Sequence, residues 1–232
     1  MRDPEPPTAS PAPPPAVSVL LPVYQHGALL GRAIESVRAQ GFGDWELLVA
    51  DDGSTDGSLA VAERYRAGSP RIRVLALEHH GLSATLNAAA ALATAELLTF
   101  LDADDAYEPH HLEENLRYLA EHPEADLVTS TARILGDPFV VDLERPGEMI
   151  HLDRCAIGGT FFVRRRVFAA VGGMPEARFG MDYLFARAVA EARFTVHRRS
   201  ARSYVYDRTR GGSMSKRAEQ RMRVGAAAGP EP

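Results

Sequence analysis

Cysteine occurs once in the 232 residues, at Cys155, so the chain has no intramolecular disulfide framework. No cysteine–histidine run carries zinc-ligand spacing either, and the lone thiol reads as a small apolar side chain in a reducing compartment. An excess of positive charge is also missing, because 26 Lys and Arg stand against 31 Asp and Glu for a net charge of −5. That balance argues against the basic field behind non-specific nucleic-acid binding, so nucleic acid is not expected as the main partner. No stretch approaches the ~18 to 20 consecutive apolar residues that span a bilayer. The expectation is a cytoplasmic chain without a transmembrane segment, with peripheral docking on a membrane left open.

What is present is a 45% hydrophobic composition, enough for one sizeable core in a chain of this length. Prolines 4, 6, 7, 11 and 13 to 15 interrupt backbone hydrogen bonding in residues 1–16, which read as an extended or disordered leader. Residues 216–232 are polar, then rich in Ala, Gly and Pro, and read as a flexible tail. Between them, short β-branched runs alternate with segments of helical period. Strands are expected at 17–23, 45–50, 72–77 and 97–101, with helices at 29–37, 59–65, 83–93 and 109–121. Ser54, Thr55 and Asp56 supply capping chemistry before the second helix. Such alternation predicts an α/β domain whose mostly parallel central sheet is flanked by helices. Beyond Asp126 the pattern loosens: a strand at 127–135, a loop at 136–153, a strand at 160–163 with a helix after it, a helix at 182–192 and a strand at 194–198.

Two of the hydrophobic runs end in acids, one at Asp51 and Asp52, the other at Asp102, Asp104 and Asp105. Ligands of open α/β sheets bind outside the carboxyl ends of strands, and clustered carboxylates there call for a cation. Tyr24, just past the first strand, offers a face on which a nucleobase can stack, and Pro22 stiffens its approach. Each position has a plainer alternative: rim packing for Tyr24, helix capping for Asp52 and an acidic turn for residues 102–105. The doublets His79–His80 and His110–His111 read as surface or loop residues. The runs at Arg164 to Arg166 and at Arg198 and Arg199 read as solvated faces.

The segments Val19-Leu20-Leu21-Pro22-Val23-Tyr24, Val49-Ala50-Asp51-Asp52-Gly53-Ser54-Thr55-Asp56, Phe100-Leu101-Asp102-Ala103-Asp104-Asp105 and Gly180-Met181-Asp182-Tyr183-Leu184 follow one another in the order seen in family 2 glycosyltransferases, which this chain resembles across about residues 17–215. The resemblance implies a single-domain GT-A type, Rossmann-like nucleotide-binding fold, with a donor half at 17–105 and an acceptor half at 106–215. It implies a nucleotide-diphosphate sugar donor, preferably UDP-linked, contacted by Pro22, Tyr24, Asp52, Asn87, Asp102 and Arg210. Asp52 takes the place of the carboxylate that reads the base. Asp104, with Asp102, takes the place of the ligands to Mg²⁺ or Mn²⁺, which offsets the diphosphate charge. Asp182 takes the place of the general base of an inverting displacement, its alternative being an N-cap.

Three positions depart from the family's pattern. Met181 stands where Glu is frequent, Leu86 where Arg is frequent, and Arg210 where His is frequent; Arg210 cannot ligate a metal but can pair with a diphosphate. Gly211 and Gly212 suit a loop that closes over the donor. A Gln-x-x-Arg-Trp segment is missing, and the only tryptophan is Trp45, so single rather than processive transfer is expected. Rival readings are a sugar-nucleotide nucleotidyltransferase, disfavoured because no glycine-rich basic loop follows the first strand, and a degenerate nucleotide-binding relative without turnover. The acceptor is open between a glycan, a lipid carrier, a peptide and a small molecule. Oligomeric state is open too, with a homodimer as one option.

Overall fold

A computed structural model describes residues 13–145, 147–177 and 179–209. The predicted tail, Arg210 and its two glycines, and most of the leader lie outside the described residues. The chain begins with β1 (Val17–Val23), α1 (Gly27–Arg38), β2 (Trp45–Asp51), α2 (Ser58–Ala67), β3 (Ile72–Ala76), α3 (Leu82–Leu92) and β4 (Leu97–Phe100). These match the elements expected from the hydrophobic runs to within a few residues. Every residue of β1 and β2 is buried, as a parallel strand covered on both faces requires. Period-two geometry sorts those residues between two cores. Val19, Leu21, Leu47 and Val49 pack with Leu30, Ile34 and Val37 of α1 on one face. Leu20, Leu48 and Ala50 pack with Leu86 and Ala89 of α3 on the other. Leu86 is thus a core side chain, which accounts for an apolar residue at that position.

The second half contains β5 (Ala106–Tyr107), α4 (His111–Glu121), β6 (Leu127–Ser130), β7 (Arg133–Leu135), β8 (Phe139–Val141), β9 (Met149–His151), β10 (Phe162–Arg164), α5 (Arg165–Ala170), α6 (Met181–Glu191), β11 (Val196–Arg199) and β12 (Tyr204–Asp207). The main sheet has the order β11-β6-β10-β4-β1-β2-β3. Its pairings are parallel except that β10 runs antiparallel between β4 and β6. From β1 the chain first builds outward through β2 and β3, then returns to place β4 on the other flank of β1. The strand order therefore reverses between β1 and β4, where an open sheet leaves a crevice at its carboxyl edge.

Three expectations for the second half are corrected. The strand expected at 127–135 is split, because the chain leaves the main sheet after Ser130 and enters a small sheet of order β5-β12-β7. Thr131 fixes the departure by donating its hydroxyl to the Ala201 carbonyl at 2.9 Å. Residues 136–153 are not simply loop: β8 and β9 form an antiparallel hairpin, with the Asp142 carboxylate accepting from the Glu144 and Arg145 amides. The arginine runs are anchors rather than solvated faces. Arg164 donates to the Pro123 and Ala125 carbonyls, Arg166 pairs with Asp126, and Arg199 donates to the Asn115 side chain at 2.8 Å.

Candidate active site

Three strand ends and one helix mouth supply the candidate residues. Pro22 is buried within β1, beside Ala50 of β2. Tyr24 follows directly and remains 42% exposed, one face stacked on the His79 ring at 4.1 Å between centroids. Rim packing, its plainer alternative, is partly realised, since His79 covers that face.

Asp52 leaves β2 into the same crevice, buried, with a carboxylate tied to the loop before α3. It accepts from the His80 amide at 2.8 Å, the Gly81 amide at 3.0 Å and His79 Nδ1 at 2.9 Å. Helix capping, its plainer alternative, falls to Asp56 instead, which accepts from the Ser58 amide and hydroxyl. Asp51, beside it, receives the Ser54 amide through Oδ2 while its buried Oδ1 has no partner.

The loop after β4 carries three acids in different states. Asp105 is fully buried with both oxygens engaged, accepting the Tyr204 hydroxyl at 2.5 Å and the Asp207 amide at 2.8 Å. Burial, then Asp102 and Asp104, raise its carboxyl well above the ordinary range. No described residue donates a hydrogen bond to the side chain of Asp102 or of Asp104. Burial pushes the Asp102 carboxyl up to about 7, with repulsion from Asp104 and then from Asp182 adding to it. Both other carboxylates thus lie within electrostatic reach of Asp102. A pair of unbonded carboxylates on one loop, that of Asp102 destabilised as an anion by burial, has the donor chemistry of a hard divalent cation.

Asp182 stands in the first turn of α6, whose start is set by Gly180 in the left-handed region at φ 71°. Its carboxylate accepts the Tyr183 amide at 2.9 Å and the Gly158 amide at 3.3 Å. Burial outweighs those bonds and raises its carboxyl. Cys155 lies within its field: burial, and after it Asp182, push the thiol up to about 11, so the thiol is inert.

Asn87 does not join this group. Its amide nitrogen donates to the Met174 carbonyl at 3.0 Å and its oxygen accepts the Met174 amide at 2.7 Å, which clamps α3 to the loop before α6. Arg210 lies outside the described residues. Conversely, sequence reasoning missed Arg32 on α1, which donates to the Asp104 carbonyl and pairs with Asp207 at 3.0 Å. It missed Tyr204 as well. Nothing in the local pattern marks either residue, because both act across long sequence separations. A second correction concerns His111, which is fully buried against Tyr107 rather than at the surface.

With the crevice and its carboxylates placed, the class can be stated. Residues 18–171 match the family described as Glycosyl transferase family 2, and the chain belongs to that family of enzymes. Its fold is the GT-A fold of solved glycosyltransferases. One is TarS of S. aureus (residues 1–349) in complex with UDP-GlcNAc, at TM-score 0.69 and 22% identity over 86% of this chain and 60% of that one. Another is the mannosyltransferase PcManGT of Pyrobaculum calidifontis in complex with GDP-Man and Mn²⁺, at TM-score 0.70 and 19% identity over 97% of this chain and 70% of that one. Among curated relatives, an uncharacterised glycosyltransferase of Nostoc sp., alr2836, is 40% identical over 98 residues, 42% of this chain and 30% of its own length. Chondroitin synthase of Escherichia coli is 33% identical over 99 residues, 43% of this chain and 14% of its own length. The chain thus matches less than a third of either relative. No helix among the described residues is long and apolar enough to cross a membrane.

Proposed function

We propose that this chain binds a nucleotide-diphosphate sugar, UDP-linked in preference, and transfers the sugar with inversion to an acceptor hydroxyl or amine, with Asp182 as general base. The observation that carries the reading is the convergence of Asp102, Asp104 and Asp182 at the strand-order reversal, with the Tyr24 end of β1 next to the acid loop and the Asp52 end of β2 beyond it. Asp104 and Asp102 would hold Mg²⁺ or Mn²⁺. When bound, that cation offsets charge on the diphosphate leaving group.

The protein groups divide the remaining work. Tyr24 offers its open face to the base. A carboxylate has about four acceptor sites, and three at Asp52 are engaged by His79, His80 and Gly81. One site remains, which suits the single imide N–H of uracil better than the paired N–H donors of guanine. Asp182 has a raised carboxyl, which makes it a stronger base than an ordinary aspartate, and its two backbone donors aim it across the mouth from the acid loop. Asn87 is read as a clamp rather than a donor contact. Arg210 is retained as a partner for the diphosphate, and 17–215 as one domain. The acceptor is a glycan, lipid carrier, peptide or small molecule.

Calorimetry with UDP, GDP and dTDP, each with and without Mn²⁺, tests the donor site. Metal-dependent binding of UDP is expected, lost in Asp104→Ala and kept in Asp182→Asn, while Asp182→Asn abolishes transfer. No nucleotide binding in the presence of metal would sink the assignment. Transfer that survives in Asp182→Asn would remove the general base.

A further inference from the structure

On the far side of the main sheet from the acid loop, a turn and an edge strand bring together side chains that lie far apart in sequence. His122 ends α4, Glu124 lies in the turn that leads into β6, and His197 is in β11, where it pairs with Val128. Because β6 runs parallel to β4 through the antiparallel β10, this turn sits at the amino-terminal edge of the sheet, whereas Asp102 and Asp104 follow the carboxyl end of β4.

One oxygen, Glu124 Oε1, lies 3.4 Å from His122 Nδ1 and 3.5 Å from His197 Nε2. Both separations are long for hydrogen bonds, which cluster at about 2.7–3.2 Å. They match the ligand–ligand edge of a tetrahedron, about 3.4 Å when metal–ligand bonds are about 2.0–2.1 Å. A ligand atom from each of the three side chains lies within 4.8 Å of the others, so a small swing of the His122 ring closes the third edge.

A second observation points the same way. His197 Nδ1 is bonded to the Tyr118 hydroxyl at 3.1 Å. That bond fixes the ring and leaves Nε2 to face Glu124, as the outer partner of a metal-bound histidine does. Tyr118 is itself held, with the His122 ring 4.3 Å away and the Arg199 guanidinium 4.5 Å from its ring centre. The His122 turn is closed by its amide to the Tyr118 carbonyl and by the Ala125 amide to its own carbonyl. The rings therefore need little ordering on binding.

We propose that His122, Glu124 and His197 form a second metal site, for Zn²⁺, separate from the cation of the acid loop. Two imidazoles and one carboxylate select a borderline transition ion over Mg²⁺, which prefers oxygen ligands. The fourth corner opens to solvent, since Glu124 and His122 are 55% and 39% exposed. Bound there, the ion staples the end of α4 to the edge strand β11 and stabilises the second half of the domain.

The test is Zn²⁺ calorimetry on the full chain in excess Mg²⁺, with wild type, His122→Ala, His197→Ala and Asp104→Ala. One Zn²⁺ per chain is expected for wild type and Asp104→Ala, with affinity at least tenfold weaker in each histidine variant. Thermal unfolding supplies a second readout: Zn²⁺ at a hundredfold excess over its dissociation constant raises the melting temperature by roughly 5 °C in wild type and Asp104→Ala, but not in the histidine variants. His122 is a partly exposed turn residue outside the core, so a folding defect in His197→Ala leaves the test intact. Absence of Zn²⁺ binding to wild type, or unchanged affinity in His122→Ala, overturns the site and leaves a histidine–glutamate cluster without an ion.

Discussion

A methyl group at Gly159 would fall 2.0 Å from Cζ of Tyr204. No rotamer of an alanine relieves that overlap, so Tyr204 or the backbone has to move. Tyr204 is fully buried and donates to Asp105, whose other oxygen receives the Asp207 amide. The absent side chain at Gly159 therefore sets the seat of the acid loop. Gly159→Ala is expected to lower stability by about 1–3 kcal/mol, as overpacking does, and to weaken Mn²⁺-dependent nucleotide binding at the same time. Urea unfolding and calorimetry on one preparation check both, and unchanged nucleotide affinity in a destabilised variant would separate Tyr204 from the acid loop. At this scale the sequence showed the acids themselves, because runs of β-branched residues that stop at carboxylates are local patterns. It could not show that both oxygens of Asp105 are engaged while Asp102 and Asp104 are open, since the partners of Asp105 lie about a hundred residues away.

Among the elements, β1 to β4 with their intervening helices were legible because each strand is a short, mostly apolar run bounded by capping or turn residues. The second half was not. Its strands β5, β7, β8, β9 and β12 are two to four residues long, too short for alternation to declare itself, and β10 enters antiparallel. What joins the halves is partly the clamp between α3 and Met174. Asn87 contributes both bonds, so Asn87→Ala leaves the buried pair of the Met174 backbone unmatched. The expected cost is about 1–3 kcal/mol, seen as a lower urea midpoint, while nucleotide affinity in the folded protein stays within about twofold of wild type. A large selective loss of nucleotide affinity at unchanged stability would return Asn87 to the donor pocket that the family resemblance implied for it.

For the whole molecule, two buried groups titrate with opposite sign over the same range. His111, the first residue of α4, is sealed against β5 and β12, its ring stacked on Tyr107 at 4.0 Å and its Nδ1 bonded to Ser203 Oγ at 2.8 Å. Burial, with smaller contributions from His110 and Arg199, pushes it down to about 3. The unfolded chain takes up this proton below the ordinary histidine value of about 6.5 and the native state does not until about 3, so stability is lost as pH falls through that window. Between pH 7 and pH 5 the loss is about 2 kcal/mol. Asp102 works the other way in metal-free protein: its raised carboxyl favours the native state at low pH, a contribution lost as pH rises toward about 7. Asp105 and Asp182, raised as well, act with Asp102 in a bare pH profile, so the measurable quantity is the difference between wild type and His111→Gln, which keeps a hydrogen-bonding side chain but not the titration. That difference should shift by about 2 kcal/mol in favour of the variant when urea unfolding is moved from pH 7 to pH 5. A difference that is constant with pH would mean that His111 is protonated in the native protein and that the packing around Tyr107 admits a charge.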